Sequence, residues 1–246
     1  MTVAVDAGQG DIAAGGTDVS YAQYDAWKGW DAAGFMTLED PLRVYYECEF
    51  ADLPVRGEKV LEIGFGHGSL LAWLQKSGAD VYGTELSGRG QALARERGIK
   101  VVSTDLDDTS HLAGKFGLIV AFDVLEHLSY DELRALFAKS ATLLRDGGSF
   151  VARFPNGASP FARPLQHGDI THITTLTASK IEQLLLGVPL RIVRASDPIP
   201  HFHGGVAKRL AKRTRNLARK GFECVIRSLY GITEPLNPNL MIVLRK

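Results

Sequence analysis

The chain has 246 residues, of which 45% are hydrophobic and 23% charged, and its formal net charge at pH 7 is zero. This size and composition suit one large globular α/β domain. No apolar run approaches the roughly 18 residues that a membrane-spanning helix needs, and the N-terminus lacks the basic and apolar regions of a signal peptide, so we expect a cytoplasmic protein. The two cysteines, Cys48 and Cys224, are isolated and predict neither a disulfide framework nor a metal site.

The N-terminal part of the chain lacks the regular pattern that follows it. Residues 1–18 are rich in glycine and predict a flexible tail, and the aromatic-rich residues 19–56 predict a helical cap. From Lys59 onward, short apolar runs alternate with stretches of helical periodicity, which indicates parallel βαβ units. The predicted strands are 59–63, 80–84, 99–103, 117–122, 148–154, 189–195 and 239–244, and the predicted helices are 68–77, 88–97, 130–144 and 177–186.

A glycine-rich loop follows the first predicted strand. Gly64, Gly66 and Gly68 stand between that strand and a helix, where glycine allows a tight turn and the close approach of a ligand. Glu62 lies two residues before the first glycine in a strand that should be buried, and a buried carboxylate favours pairing with a cationic ligand group. Glu85 ends the second strand 21 residues after Gly64, the spacing at which a carboxylate can accept both ribose hydroxyls.

These residues resemble motif I and the following acidic motif of the class I S-adenosylmethionine (SAM)-dependent methyltransferases. Asp105-Leu106, the D-x-x-E-H sequence at 123–127 and the turn at 143–148 are similar to later motifs of that family, and the resemblance covers about residues 57–195. It implies a Rossmann-like α/β fold with a mainly parallel seven-stranded sheet, helices on both faces, and a helical insertion at 204–230 before an antiparallel last strand at 238–246. It also implies SAM as cofactor, bound by Glu62, Gly64, Phe65, Gly66, Gly68, Glu85, Leu86, Asp105, Leu106, Asp123 and Val124, with Tyr24, Trp27 and Lys28 closing over it.

A nicotinamide dehydrogenase is the main alternative within this fold. Its fingerprint is G-x-G-x-x-G/A, whereas this chain has Gly64, Gly66 and Gly68 followed by Ser69. Glu62 would also repel the negatively charged pyrophosphate of a dinucleotide. Both observations favour SAM.

A narrower resemblance concerns the methyl acceptor. The segments at 153–157, 159–161, 166–172 and 24–30 are similar to a methyltransferase type 11/23-like branch associated with surface-polysaccharide biosynthesis. That resemblance implies methyl transfer to a hydroxyl, or an amine, of a small-molecule or glycan acceptor. Two alternatives remain: a methyltransferase that acts on a quinone-like or lipid head-group acceptor, and a non-catalytic SAM-fold binding module.

Three histidines are candidates for removing a proton from the acceptor. His167 is placed first because it opens a polar loop after the fifth strand, and His172 and His127 are the reserves. Alternatively, these histidines have structural roles: His172 hydrogen-bonds Asp169 and fixes this loop to the core, and His127 caps a helix. No pattern of His, Cys and Asp in the sequence requires a metal, and none is expected.

The C-terminal part of the chain is basic. Residues 201–246 contain ten Lys and Arg against two Glu, a balance of +8, and the rest of the chain carries −8. Seven of the basic residues fall within 208–220 and accompany a partial apolar stripe at Val206, Leu210, Leu217, Val225 and Leu229. The segment predicts either a solvated helix on the domain surface or contact with phosphates, those of an inner membrane surface or of a phosphate-bearing acceptor. The scarcity of interleaved aromatics disfavours nucleic acid.

Overall fold

The computed structural model describes residues 32–246, with the side chains of Asp107 and Asp108 excepted. The strands are β1 (Lys59–Ile63), β2 (Asp80–Thr84), β3 (Lys100–Val101), β4 (Phe116–Phe122), β5 (Leu144–Pro155), β6 (Arg191–Ser196) and β7 (Asn239–Arg245). The α-helices are α1 (Asp40–Glu49), α2 (Ser69–Lys76), α3 (Gly88–Glu96), α4 (Tyr130–Leu143), α5 (Arg163–His167), α6 (Ala178–Leu184) and α7 (Val206–Tyr230). Short 3-10 helices cover Asp107–Leu112, Leu125–His127 and Pro160–Ala162.

The seven strands form one sheet in the order β3-β2-β1-β4-β5-β7-β6. Strands β1 to β5 pair in parallel, and β7 runs antiparallel to both β5 and β6. The predicted fold is therefore confirmed, including the antiparallel last strand and the helical insertion before it. The insertion is one continuous helix, α7, of 25 residues.

Two strands, β3 and β5, differ most in length from their predicted bounds. The sequence predicts 99–103 as a strand, but only Lys100 and Val101 pair with β2. This strand lies at the edge of the sheet, where it has one neighbour, and the chain turns away at 104–105. Strand β5 instead begins at Leu144, directly after α4, because an irregularity in the register lets Leu144 pair with Phe116.

Two hydrophobic clusters cover the two faces of the sheet. Alternate residues of β4 divide between them: Ile119 and Ala121 belong to one cluster, and Leu118 and Val120 to the other. This alternation follows from the two-residue period of a strand, and all four residues are fully buried because helices cover both faces. The carboxyl ends of the parallel strands are thereby presented together at one edge of a rigid sheet, where this architecture binds ligands.

No helix within residues 32–246 is both long enough and apolar enough to cross a membrane. The predicted flexible tail at 1–18 and the first part of the predicted cap lie outside the described residues. Of the predicted cap, the described part contains α1, whose buried residues include Tyr45 and Tyr46.

Candidate active site

A cavity of about 700 Å³ lies at the carboxyl ends of β1, β2 and β4. This volume falls within the range of roughly 300–1,000 Å³ that is typical of small-molecule and cofactor sites. Residues before and within α1, among them Thr37, Leu42 and Tyr46, line it from the N-terminal side. Eight of the residues predicted to bind SAM line the cavity: Glu62, Gly64, Phe65, Gly66, Glu85, Leu86, Asp123 and Val124.

The loop after β1 needs glycine for steric reasons. Gly64 has φ +66°, and a Cβ there would lie 2.6 Å from Cγ2 of Val124. Gly68 has φ +76°, and a Cβ there would lie 2.8 Å from Cγ of Met36. Larger residues would therefore force apart the loop and the elements packed on it, and they would fill space that a ligand can approach. Gly68 does not line the cavity, and it precedes the first residue of α2.

Three backbone N–H groups hold the carboxylate of Glu85. Gly66 N donates to Oε2 at 2.8 Å, while Leu86 N and Ser87 N donate to Oε1 at 2.7 and 3.2 Å. A carboxylate can accept about four hydrogen bonds, so this one, which lines the cavity, can accept about one more. These three hydrogen bonds fix the orientation of the Glu85 carboxylate at the end of β2.

Glu62 is the second carboxylate of the cavity. Its exposed fraction is 5%, and its Oε2 has no hydrogen-bond partner within residues 32–246. Burial, and then the negative charge of Glu85, raise the pKa of Glu62 well above its ordinary value. A cationic group placed in the cavity would relieve both effects, so Glu62 fits the ammonium of SAM, and Glu85 with its remaining acceptor capacity fits a ribose hydroxyl.

Arg153 is a cavity residue that the sequence analysis did not single out. Its Nε lies 3.0 Å from Oδ1 of Asp123, its Nη2 also binds that carboxylate, and its Nη1 donates to the hydroxyl of Tyr45 at 3.2 Å. Burial raises the pKa of Tyr45 to about 12 even though the positive charge of Arg153 opposes this. The one available signal was position: Arg153 is near the carboxyl end of β5, which pairs with β4 beside Asp123.

A cluster of Glu126, His127 and His172 borders the cavity. His127 lines the cavity, and its ring centroid lies 4.7 Å from that of His172. Nε2 of His172 is 3.8 Å from Oε1 of Glu126 and 3.9 Å from Oδ2 of Asp169. Burial, reinforced by the charge of Asp123, raises the pKa of Glu126 to about 8.

The segment that carries His172 is docked onto the segment that carries Glu126. Ile173 and Thr174 both donate their backbone N–H groups to the carbonyl oxygen of Glu126, each at 3.0 Å. Nδ1 of His127 lies 3.0 Å from the hydroxyl of Thr171 and 3.2 Å from its carbonyl oxygen. Two separate stretches of the chain thus form one polar cluster.

The remaining predicted residues are not among those that line the cavity within residues 32–246. His167 is exposed at the end of α5 and does not line the cavity. Asp105 and Leu106 do not line it either, although the neighbouring Thr104 does. Tyr24, Trp27 and Lys28 lie outside the described residues. The roles assigned to these six, like those of the predicted residues that line the cavity, remain predictions.

Comparison with known proteins identifies one family. A family model described as "Methyltransferase domain" matches residues 47–195. The chain is 34% identical over 133 residues to a ubiquinone biosynthesis O-methyltransferase of Vibrio parahaemolyticus, a match that covers 50% of this chain and 55% of that protein. It is 27% identical over 193 residues to a tuberculostearic acid methyltransferase of Mycobacterium tuberculosis, which covers 72% of this chain and 45% of that protein. The matches therefore span only about half of each relative's length.

Among solved structures, the fold is similar to that of a SAM-dependent methyltransferase from Archaeoglobus fulgidus. The TM-score is 0.61 and the sequence identity is 15%, and the match covers 92% of this chain and 99% of the other. At that identity the likeness concerns the fold, which is the class I methyltransferase fold.

Proposed function

The chain belongs to the methyltransferase domain family, and from this membership we propose that it transfers the methyl group of SAM to a hydroxyl oxygen of a small-molecule acceptor. The observation that carries the proposal is the pair of carboxylates in the cavity. Glu85 is held by three backbone N–H groups, and Glu62 is buried without a partner for Oε2 within residues 32–246. This is the arrangement that a ligand with a ribose hydroxyl and an ammonium group would complete.

Two groups of SAM have a proposed side-chain partner in the cavity. The ammonium group pairs with Glu62, and a ribose hydroxyl donates to Glu85. The chain between Gly64 and Gly66 lies close to the ligand because it carries no side chain at those two positions. When bound, SAM supplies a methyl group on a sulfonium, which needs no activation by the protein. The protein's task is to orient the acceptor oxygen in line with the S–CH₃ bond and to help it lose its proton.

The acceptor is proposed to be an aromatic or quinone-like hydroxyl compound. One relative is named for ubiquinone biosynthesis, and it is an O-methyltransferase. Leu42, Leu128 and Leu136 line the same cavity as the polar residues, so an apolar ring has surface to bury there. A glycan hydroxyl, which the polysaccharide-associated branch implies, is the competing acceptor.

We also propose that α7 attaches the protein to an anionic membrane surface. On a helix with 3.6 residues per turn, its apolar stripe lies on one side, and its members are between 56% and 75% exposed: Val206, Leu210, Leu217, Val225 and Leu229. The helix contains eight basic residues against one acidic residue, Glu223, and Glu223 is also its only buried residue. An exposed apolar side with basic flanks is the pattern of an interfacial helix, and it would bring the site close to a lipid-dissolved acceptor.

The test of the proposed activity is a labelled-methyl assay with purified full-length chain and deuterated-methyl SAM. Polyprenyl catechols, a lipid extract and a glycan extract are offered separately, and mass spectrometry identifies any methyl ether. Labelling of the catechol supports the proposal, and labelling confined to the glycan extract would replace the acceptor class. If the chain binds SAM yet labels nothing, the binding-module alternative accounts for the protein better. The variant Glu85→Ala is the background control.

A further inference from the structure

We propose that Glu126, His127 and His172 bind one divalent transition-metal ion at the edge of the cofactor cavity. One ligand atom from each of the three residues lies within 4.8 Å of the other two. The two adjacent residues come from the turn after β4, and His172 comes from the segment between α5 and α6. Nothing in the sequence pattern predicts such a site, because His172 lies 45 positions after His127 along the chain.

The distances between the donor atoms of these residues suit ligands of one shared ion better than they suit hydrogen bonds. Nε2 of His172 is 3.8 Å from Oε1 of Glu126, which is too long for a hydrogen bond. Two ligand atoms that each lie about 2.1 Å from a tetrahedral ion are about 3.4 Å apart. The rings of His127 and His172 meet at 77°, so they do not stack face to face. Small side-chain adjustments would bring the three donors to one point.

His127 has the outer partner that metal-binding histidines usually have. Its Nδ1 lies within hydrogen-bonding distance of the hydroxyl and the carbonyl oxygen of Thr171. Thr171 is fixed in turn, because its backbone N–H donates to Asp169 at 3.0 Å. A partner on one ring nitrogen sets the tautomer and the ring orientation, and it leaves Nε2 as the metal ligand.

The carboxylate of Glu126 is buried, and one of its oxygens lacks a hydrogen-bond donor within residues 32–246. Its exposed fraction is 1%, and its Oε2 is buried without a hydrogen-bond partner within residues 32–246. The backbone of this residue is nevertheless held by Ile173 and Thr174, so the site is assembled before any ion binds. A buried carboxylate beside two imidazoles is stabilised by a cation that all three share.

The donor set indicates the class of ion and its use. Two histidines and one carboxylate suit Zn²⁺, Mn²⁺ or Fe²⁺ and leave coordination positions open. His127 lines the cavity, so an open position would face the acceptor, and a hydroxyl bound there would lose its proton to solvent more readily. The resulting oxygen anion forms the C–O bond as the S–CH₃ bond breaks, and both electrons of that bond stay on sulfur. This catalytic part rests on the proposed function, whereas ion binding does not.

Ion binding is tested without SAM or acceptor. The full-length chain is stripped with a chelator, dialysed and titrated with Zn²⁺ and with Mn²⁺ in a calorimeter. We expect one ion per chain for the wild type and for His111→Ala, which removes an exposed histidine elsewhere. We expect binding to be weakened at least tenfold in His172→Ala and in Glu126→Gln, since changes even to outer partners cost about 10–100-fold. SAM affinity, measured on each variant, reports that the fold is intact.

The proposal is overturned if the stripped wild type binds neither ion stoichiometrically, or if His172→Ala binds as tightly as the wild type. In either case the cluster would be a structural contact between two loops. Turnover that survives chelation, in a chain shown to bind the ion, would overturn only the catalytic part. If no acceptor is methylated, the proposed function fails, and the calorimetric result on ion binding still stands.

Discussion

The backbone N–H of Gly66 donates a 2.8 Å hydrogen bond to Oε2 of Glu85. This bond ties the glycine loop after β1 to the end of β2, so the two sequence motifs form one structural unit. Because Leu86 and Ser87 hold the other carboxylate oxygen, the side chain is oriented before a ligand arrives. Such preorganisation reduces the entropy lost on binding.

Glu85→Ala should weaken SAM binding by about 1.5–3 kcal/mol, roughly 10- to 150-fold, because a charge-assisted hydrogen bond to the ribose is lost. Isothermal titration calorimetry at neutral pH measures the dissociation constant. Glu96→Ala, at an exposed residue of α3, is the matched control and should leave it unchanged. An unaltered constant in Glu85→Ala would remove the ribose assignment.

Glu62 should make SAM binding depend on pH. Burial, and then Glu85, raise its pKa in the free protein, whereas the ammonium of SAM favours its ionised form. Affinity for SAM should therefore increase as the pH rises from about 4.5 through the raised pKa, and then level off. Glu62→Gln should abolish this dependence and weaken binding at neutral pH. An identical pH profile in the variant would contradict the pairing of Glu62 with the ammonium.

Ionised Glu62, which should strengthen SAM binding, should lower the stability of the free protein. A carboxyl group whose folded pKa is raised contributes stability that is complete below its unfolded pKa and is lost as the pH rises through the folded pKa. At neutral pH and without SAM, Glu62→Gln should therefore unfold at a higher temperature than the wild type, by about 2–4 °C for each kcal/mol gained. Thermal unfolding followed by circular dichroism measures this shift. A lower unfolding temperature would show that Glu62 is already stabilised in the free protein.

Two histidine variants test which residue, His127 or His167, helps the methyl acceptor to lose its proton. His127 lines the cavity, and His127→Ala should lower kcat by about 10²–10⁴-fold while SAM affinity stays nearly constant. The sequence-based prediction assigns an effect of that size to His167, which is exposed at the end of α5. Turnover of the two variants on the same acceptor decides between them. If neither variant loses more than a few-fold, orientation of the acceptor accounts for catalysis.

Removal of exposed charge from α7 should weaken membrane attachment. We expect Gln at Lys208, Arg209, Arg215 and Lys220 to reduce co-sedimentation with anionic vesicles at least tenfold, since each basic residue near such a surface contributes about 1 kcal/mol. Binding by the wild type should fall as salt rises and be weak with neutral vesicles. Gln at Lys76, Arg97, Lys115 and Arg134, which are exposed outside α7, is the matched control.

Vesicle binding and KM of the α7 variant together show whether α7 contacts membrane phosphates or a phosphate-bearing acceptor. If the α7 variant binds vesicles as well as the wild type does but has a higher KM, α7 contacts a phosphate-bearing acceptor and not a membrane. If neither quantity changes, α7 is a solvated helix and its charge has no role in binding.

The sequence alone determined the elements whose cause is local. Strands β1 and β2 have the predicted bounds, 59–63 and 80–84, because a glycine turn follows β1 at Gly64 and another precedes β2 at Gly78. The placement of Glu62, Gly64 and Glu85 beside one cavity also followed from sequence, since adjacent parallel strands bring their carboxyl ends to the same edge. Backbone preference and side-chain period act over a few residues, so a single sequence reveals them.

Only the tertiary structure decided which distant side chains meet. Arg153 pairs with Asp123 because β5 lies beside β4 in register, and periodicity does not reveal which strands become neighbours. His172 reaches Glu126 because two backbone N–H groups of the following residues bind the carbonyl oxygen of Glu126. Such contacts depend on the closure of loops and the register of strands, whose free energy belongs to the whole packed core. The cofactor cavity could therefore be predicted from sequence, whereas the histidine cluster beside it could not.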